Sequence, residues 1–147
     1  MFGALKKAFK AGAKEVQADY SQNKDYLEAV CASAALVAFA DGELEDSERS
    51  KVVRTISQHP VLGKMYQPNV IESTVETMFK RAKDHSGRQQ LARELDDIKG
   101  REGSMAEDVY LVALDVAHAD GTLEPEEEAV LKKIAARLGV DASKFEL

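Results

Sequence analysis

The chain has 147 residues, 44% of them hydrophobic and 31% charged, enough to close one apolar core and too apolar for wholesale disorder. A formal net charge of −6, no basic run with interleaved aromatics and no glycine-rich phosphate loop argue against nucleic acid as a partner. One cysteine excludes an intrachain disulfide and a cysteine zinc cluster, and the longest apolar run, 34–40, is far too short to span a bilayer.

Alanine, leucine, glutamate and lysine dominate, and apolar residues recur at helical rather than alternating spacing. Helices are expected at 2–18, 24–40, 46–58, 69–85, 88–99, 103–119 and 125–138, followed by a short turn from Asp141. The first, spanning 1–18, sets Phe2, Leu5 and Phe9 against Lys6, Lys7, Lys10 and Lys14. Such a basic amphipathic segment either packs on a bundle or lies on an anionic membrane through residues 1–14. The second carries Leu27, Val30, Cys31, Ala34 and Ala38 on one stripe, which makes Cys31 a core residue. Pro60 and Gly63 mark a turn, and Pro68 opens the stretch with Ile71, Val75, Met78 and Phe79. Gly87 and Gly100 divide the centre. Met105, Val109, Val112 and Val116, flanked by Leu111 and Leu114, form the next face, and Val130, Leu131, Ile134 and Leu138 the last, closed by Gly139 as C-terminal cap. Short connections between such helices give a single all-α bundle over 1–147.

An internal repeat organises this bundle. Residues 38–48, Ala-Phe-Ala-Asp-Gly-Glu-Leu-Glu-Asp-Ser-Glu, return 79 residues later as 117–127, Ala-His-Ala-Asp-Gly-Thr-Leu-Glu-Pro-Glu-Glu, with seven of eleven positions identical. Each copy ends an apolar helix and starts a charged one, so 24–58 and 103–138 are two similar helix–loop–helix units. Gly42 and Gly121 allow the reversal, Leu44 and Leu123 tuck back between helices, and Glu45 and Glu124 fall at the N-cap. Glu48 and Glu127 stand at the third helical position, where a carboxylate reaches free backbone donors.

Capping leaves acids over. Five lie between Asp41 and Glu48 and five between Asp120 and Glu128, without a base among them. The spacing equals the second half of an EF-hand loop, yet Val37 and Phe39, and Val116 and His118, occupy the places of its first ligands. One corner offers about four oxygens where calcium takes six to eight. Three readings stay open: caps alone, a hard-cation half-site completed by water or by the other copy, and an acidic docking surface.

The paired Ala-x-Ala-Asp-Gly-x-Leu-x-x-x-Glu motifs, with the lysine-rich start and the closing Leu-Gly-Val-Asp-Ala-Ser-Lys-Phe-Glu-Leu of 138–147, resemble the tellurite-resistance TerB family. That resemblance implies an all-α bundle of about seven helices. It implies a stress-response role beside a TerC-like membrane protein and calcium-binding TerD-like proteins. It also implies Asp41, Glu48, Asp120 and Glu127 as candidate ligands of a divalent cation (calcium, magnesium or manganese), and no catalytic residue. The histidines His59, His85 and His118 lie far apart, without partners at metal-ligand spacing, and the acids look solvated, so no enzyme is expected. The expected place is the cytoplasm, at most peripheral to the inner face of its membrane. A structural adaptor that brings Ter-type proteins to the membrane without binding metal is the alternative.

Overall fold

The structure is a computed structural model that describes residues 20–101 and 104–145, with the backbone alone at 20–23 and 120. The expected helix 2–18, with its lysines, lies outside the described residues. Seven α-helices follow: α1 (Tyr20–Ala38), α2 (Asp46–Gln58), α3 (Leu62–Met65), α4 (Pro68–Arg81), α5 (His85–Asp96), α6 (Met105–Ala117) and α7 (Pro125–Leu138). Short 3₁₀ turns occupy His118–Asp120 and Ala142–Phe145, and there is no strand among the described residues.

α1 is the axis of the molecule. It packs against α2, α4, α5, α6 and α7, so a single apolar stripe would leave other faces unmatched. Its middle meets this demand with small side chains: Ala29, Val30, Cys31, Ala32, Ala34 and Ala35 are all fully buried. Small residues let neighbouring helices approach closely, and larger ones on those neighbours (Ile56, Ile71, Leu91, Val109 and Ile134) fill the space between. Burial pushes the Cys31 thiol far above its ordinary range, so it is a packing residue and no nucleophile. Ser33 is equally buried, and its hydroxyl has no hydrogen-bond partner. A buried hydroxyl left unpaired costs about 1–3 kcal/mol. Ser33→Ala is therefore expected to raise the urea midpoint at unchanged slope, equivalent to about 1 kcal/mol. A lower midpoint would mean the hydroxyl is paired.

Several expected boundaries move. The break expected at Gly87 lies at 82–84 instead. Asp84 caps α5 by accepting from the Gly87 N–H at 2.6 Å, and Gly87 is buried inside the first turn. The turn of Pro60 and Gly63 contains the one-turn helix α3, whose start is tied by the His59 ring. His59 Nδ1 accepts from Val61 N–H at 3.3 Å, while Nε2 faces Asp115 at 3.8 Å. On α6 the buried face is Val109, Tyr110, Val112, Ala113 and Ala117, and Leu111 points outward. Gly139 closes α7 with φ +71° as expected, and the Val140 N–H reaches back to the Ala135 carbonyl at 2.9 Å.

The two repeated units are interlocked. α1 and α6, the first helices of the two units, pack on each other. Each also meets the second helix of the other unit, α6 against α2 and α1 against α7. This crossing turns the two Asp-Gly corners toward one another.

A candidate cation site between two acidic corners

Both corners are built alike. Gly42 takes φ +87° and Gly121 φ +81°, the left-handed region where a side chain would be strained. In each, the glycine N–H donates to the carbonyl three residues back, Phe39 at 2.8 Å and His118 at 2.9 Å. Leu44 and Leu123 are half-buried against the core, which pins the chain as it turns into α2 and α7. Glu45 and Glu124 take the extended N-cap conformation.

Between the corners lies a cavity of about 220 Å³. Its apolar wall includes Val37 and Val116, equivalent residues of the two copies. Its polar wall holds Asp41, Glu48, Glu124 and Glu127, with Lys51 among them. Three of the four residues expected to bind a cation are thus brought to one place from opposite ends of the chain. The fourth, Asp120, ends the 3₁₀ turn beside the second corner, and its side chain lies outside the described residues.

The two glutamates at the third helical position do different work. Glu127 Oε1 accepts the backbone N–H of Glu124 at 3.0 Å, the capping role expected of it. Glu48 has no such bond: its Oε2 is buried and has no hydrogen-bond partner. Its acidity follows. Burial raises the Glu48 pKa, the charges of Asp41, Glu45 and Glu127 raise it further, and Lys51 pulls it back. Glu48 of the first copy and Glu127 of the second line the same cavity, and the Glu127 charge adds to this rise. Asp41 Oδ1 accepts the N–H of Glu43 at 3.0 Å and fixes the turn, an aspartate closing its own loop.

The two corners use one oxygen of Asp41 and one of Glu127 to hold the backbone and leave Glu48 Oε2 without a hydrogen-bond partner. This all-oxygen, anionic donor set suits a hard cation. Among the described residues, however, no three of histidine, cysteine, aspartate or glutamate converge tightly enough to hold a bare ion. His118, the histidine nearest the acids in sequence, is engaged elsewhere, with Nδ1 2.9 Å from the Leu114 carbonyl oxygen. Lys51 and the pairing of Val37 with Val116 were not expected from the motif. Lys51 follows Glu48 by three residues, the spacing that puts both on one helix face.

An all-helical bundle is what the resemblance to the TerB family implied. The model of the family described as "Tellurite resistance protein TerB" matches residues 27–147, and the chain belongs to that family. Comparisons with curated proteins and with solved structures find no match. No described helix is long and apolar enough to cross a membrane.

Proposed function

We propose that the protein is a non-enzymatic tellurite-resistance and stress-response module that binds a hydrated divalent cation in the cavity between its two corners. The observation that carries this reading is the buried, unpartnered carboxylate oxygen of Glu48, set among Asp41, Glu124 and Glu127. A buried carboxylate oxygen without a partner is costly, and a cation removes that cost. A cavity of about 220 Å³ is far larger than a bare ion, which favours magnesium or manganese retaining several waters over a fully protein-ligated calcium. Asp41, Glu48, Asp120 and Glu127 would hold the hydrated ion, with Glu124 at the rim. A cationic side chain of a partner protein is the second reading, favoured by the same grouping of acids around one cavity. TerC-like and TerD-like proteins, and membrane contact through residues 1–14, belong to this proposal as its setting.

Thermal melting with added manganese, magnesium or calcium tests it. Binding to the folded state alone raises the melting temperature in proportion to the logarithm of metal concentration. The wild type is expected to respond at millimolar manganese, and the double variant Asp41→Asn, Asp120→Asn is not. Asparagine preserves the oxygen that accepts the Glu43 N–H, so the turn survives while two charges are removed. A flat response of the wild type to all three metals discards the metal reading and leaves the corners as caps and charge.

A further inference from the structure

A second cavity, of about 360 Å³, lies on the other side of the first corner, between the end of α1, α5 and α7. It falls within the roughly 300–1,000 Å³ typical of small-molecule sites. Its floor is apolar and comes from all three helices: Leu36 and Phe39, Ala92 and Leu95, Val130 and Ile134. Its charged rim is all of one sign. Arg88, Lys133 and Arg137 line it, and no acidic side chain does among the described residues, although the whole chain carries a net charge of −6.

The rim cations are held to different degrees. The Arg88 guanidinium stacks 4.3 Å from the Phe39 ring and donates through Nη1 to the Ala82 carbonyl at 2.8 Å, which fixes one end of the groove. Arg137 spends Nη1 on Asp96 at 3.0 Å, and its other guanidinium donors remain for an anion. Lys133 and the neighbouring Gln89 have no partner among the described residues.

We propose that this groove binds a single-chain amphipathic carboxylate, its apolar body on the floor and its head against Lys133 and Arg137. The lining residues repeat along two turns of α5, 88–95, and of α7, 130–137, which makes the groove roughly 10 Å long at 1.5 Å per residue. That length suits one short alkyl chain. A docked peptide helix would need apolar anchors over a longer furrow. The rim cations, Arg137 paired with Asp96 and Lys133 without an acid partner among the described residues, select the sign of the head group, and the apolar floor selects an apolar body.

Calorimetric titration with decanoate, below the concentration at which it forms micelles, reads this directly. One saturable site is expected in the wild type, weakened by added salt, and no binding is expected of decyltrimethylammonium, which carries the same chain on a cation. Lys133 is exposed on α7, so Lys133→Glu should keep its helical circular dichroism while losing roughly tenfold in affinity for decanoate. Ala92→Leu, which fills part of the floor, should weaken decanoate without changing its salt dependence. Equal binding of the cationic amphiphile, unchanged affinity in Lys133→Glu, or no saturable site overturns the proposal. Binding of a glutamate-rich peptide where decanoate fails overturns it in favour of a protein partner.

Discussion

Gly87→Ala is expected to destabilise the fold by about 3 kcal/mol or more, with a melting temperature roughly 10 °C lower. A Cβ built at this position falls 1.7 Å from the carbonyl oxygen of Arg81 and 2.6 Å from its carbonyl carbon. These are backbone atoms at the end of α4, so no side-chain rotation relieves the overlap. Either the α4–α5 connection opens or the first turn of α5 unwinds. Both routes break the bond from Gly87 N–H to Asp84 Oδ1, which caps α5. The damage would spread to the core, because Leu91 and Leu95 on α5 are buried against the central helix. Gln90→Ala, on the exposed side of the same helix, is expected to change stability by less than about 0.5 kcal/mol. Circular-dichroism melts of the two variants decide the matter. Similar midpoints would show that the helices can separate without cost.

Gly87 also shows where the sequence stops being legible. In sequence, a glycine between two helical patterns reads as a break, whereas here it is the point of closest approach between two helix ends. Only the position of the Arg81 carbonyl, a tertiary fact, distinguishes the two. Asp84, three residues before Gly87, was the available signal, since aspartate is a strong N-cap. Leu111 and Tyr110 show the same limit on another scale. Both fit an apolar helix, and the packing of α6 on α1 chose the face that buries Tyr110. Helix identity, by contrast, was legible wherever apolar spacing ran for more than two turns, as it did from Ile71 to Phe79.

The site was legible as a repeat and not as a geometry. Identical residues 79 apart pointed to two equivalent corners, and the cavity lined by Val37, Val116, Glu48 and Glu127 places them together. What the repeat concealed is the division of labour between its copies. Pro125 starts α7 where the first copy has Asp46, and only the second copy closes its glutamate onto the N-cap backbone. Glu48 is left with a buried oxygen unpaired and four neighbouring charges acting on it. Near-symmetric sequence has produced an asymmetric pair lining one cavity, one glutamate holding the fold and the other left with an unpaired oxygen.

A different pair of carboxylates is expected to make stability fall as pH rises toward neutrality. Glu94 on α5 hydrogen-bonds Glu28 on α1, and its pKa is pushed up to about 7. Burial is the main cause, followed by the charge and hydrogen bond of Glu28; Arg81 opposes the shift and Asp97 adds to it. Arg81 Nη1 stands 3.5 Å from Glu94 Oε1, an ion pair outweighed by burial and by Glu28, and Lys24 Nζ stands 3.8 Å from Glu28 Oε1. The pKa of the folded state is above that of the unfolded chain, so the folded state holds the extra proton. The stabilisation this gives is fully present below about pH 4.5 and is lost as pH rises through about 7. At 1.36 kcal/mol per pH unit the full shift corresponds to about 3 kcal/mol, which solvent screening of this half-buried pair reduces to about 1 kcal/mol. Glu94→Gln keeps a donor for Glu28 and cannot ionise. It should therefore be about 1 kcal/mol more stable than wild type at pH 8, equal to it near pH 4, and flatter between. Urea denaturation of both proteins across that range isolates Glu94 and the groups coupled to it, because titrating groups remote from it, Glu48 included, cancel in the difference. If Glu94→Gln is instead the less stable protein at pH 8, the ion pair with Arg81 outweighs the repulsion from Glu28, and Glu94 is charged at neutral pH.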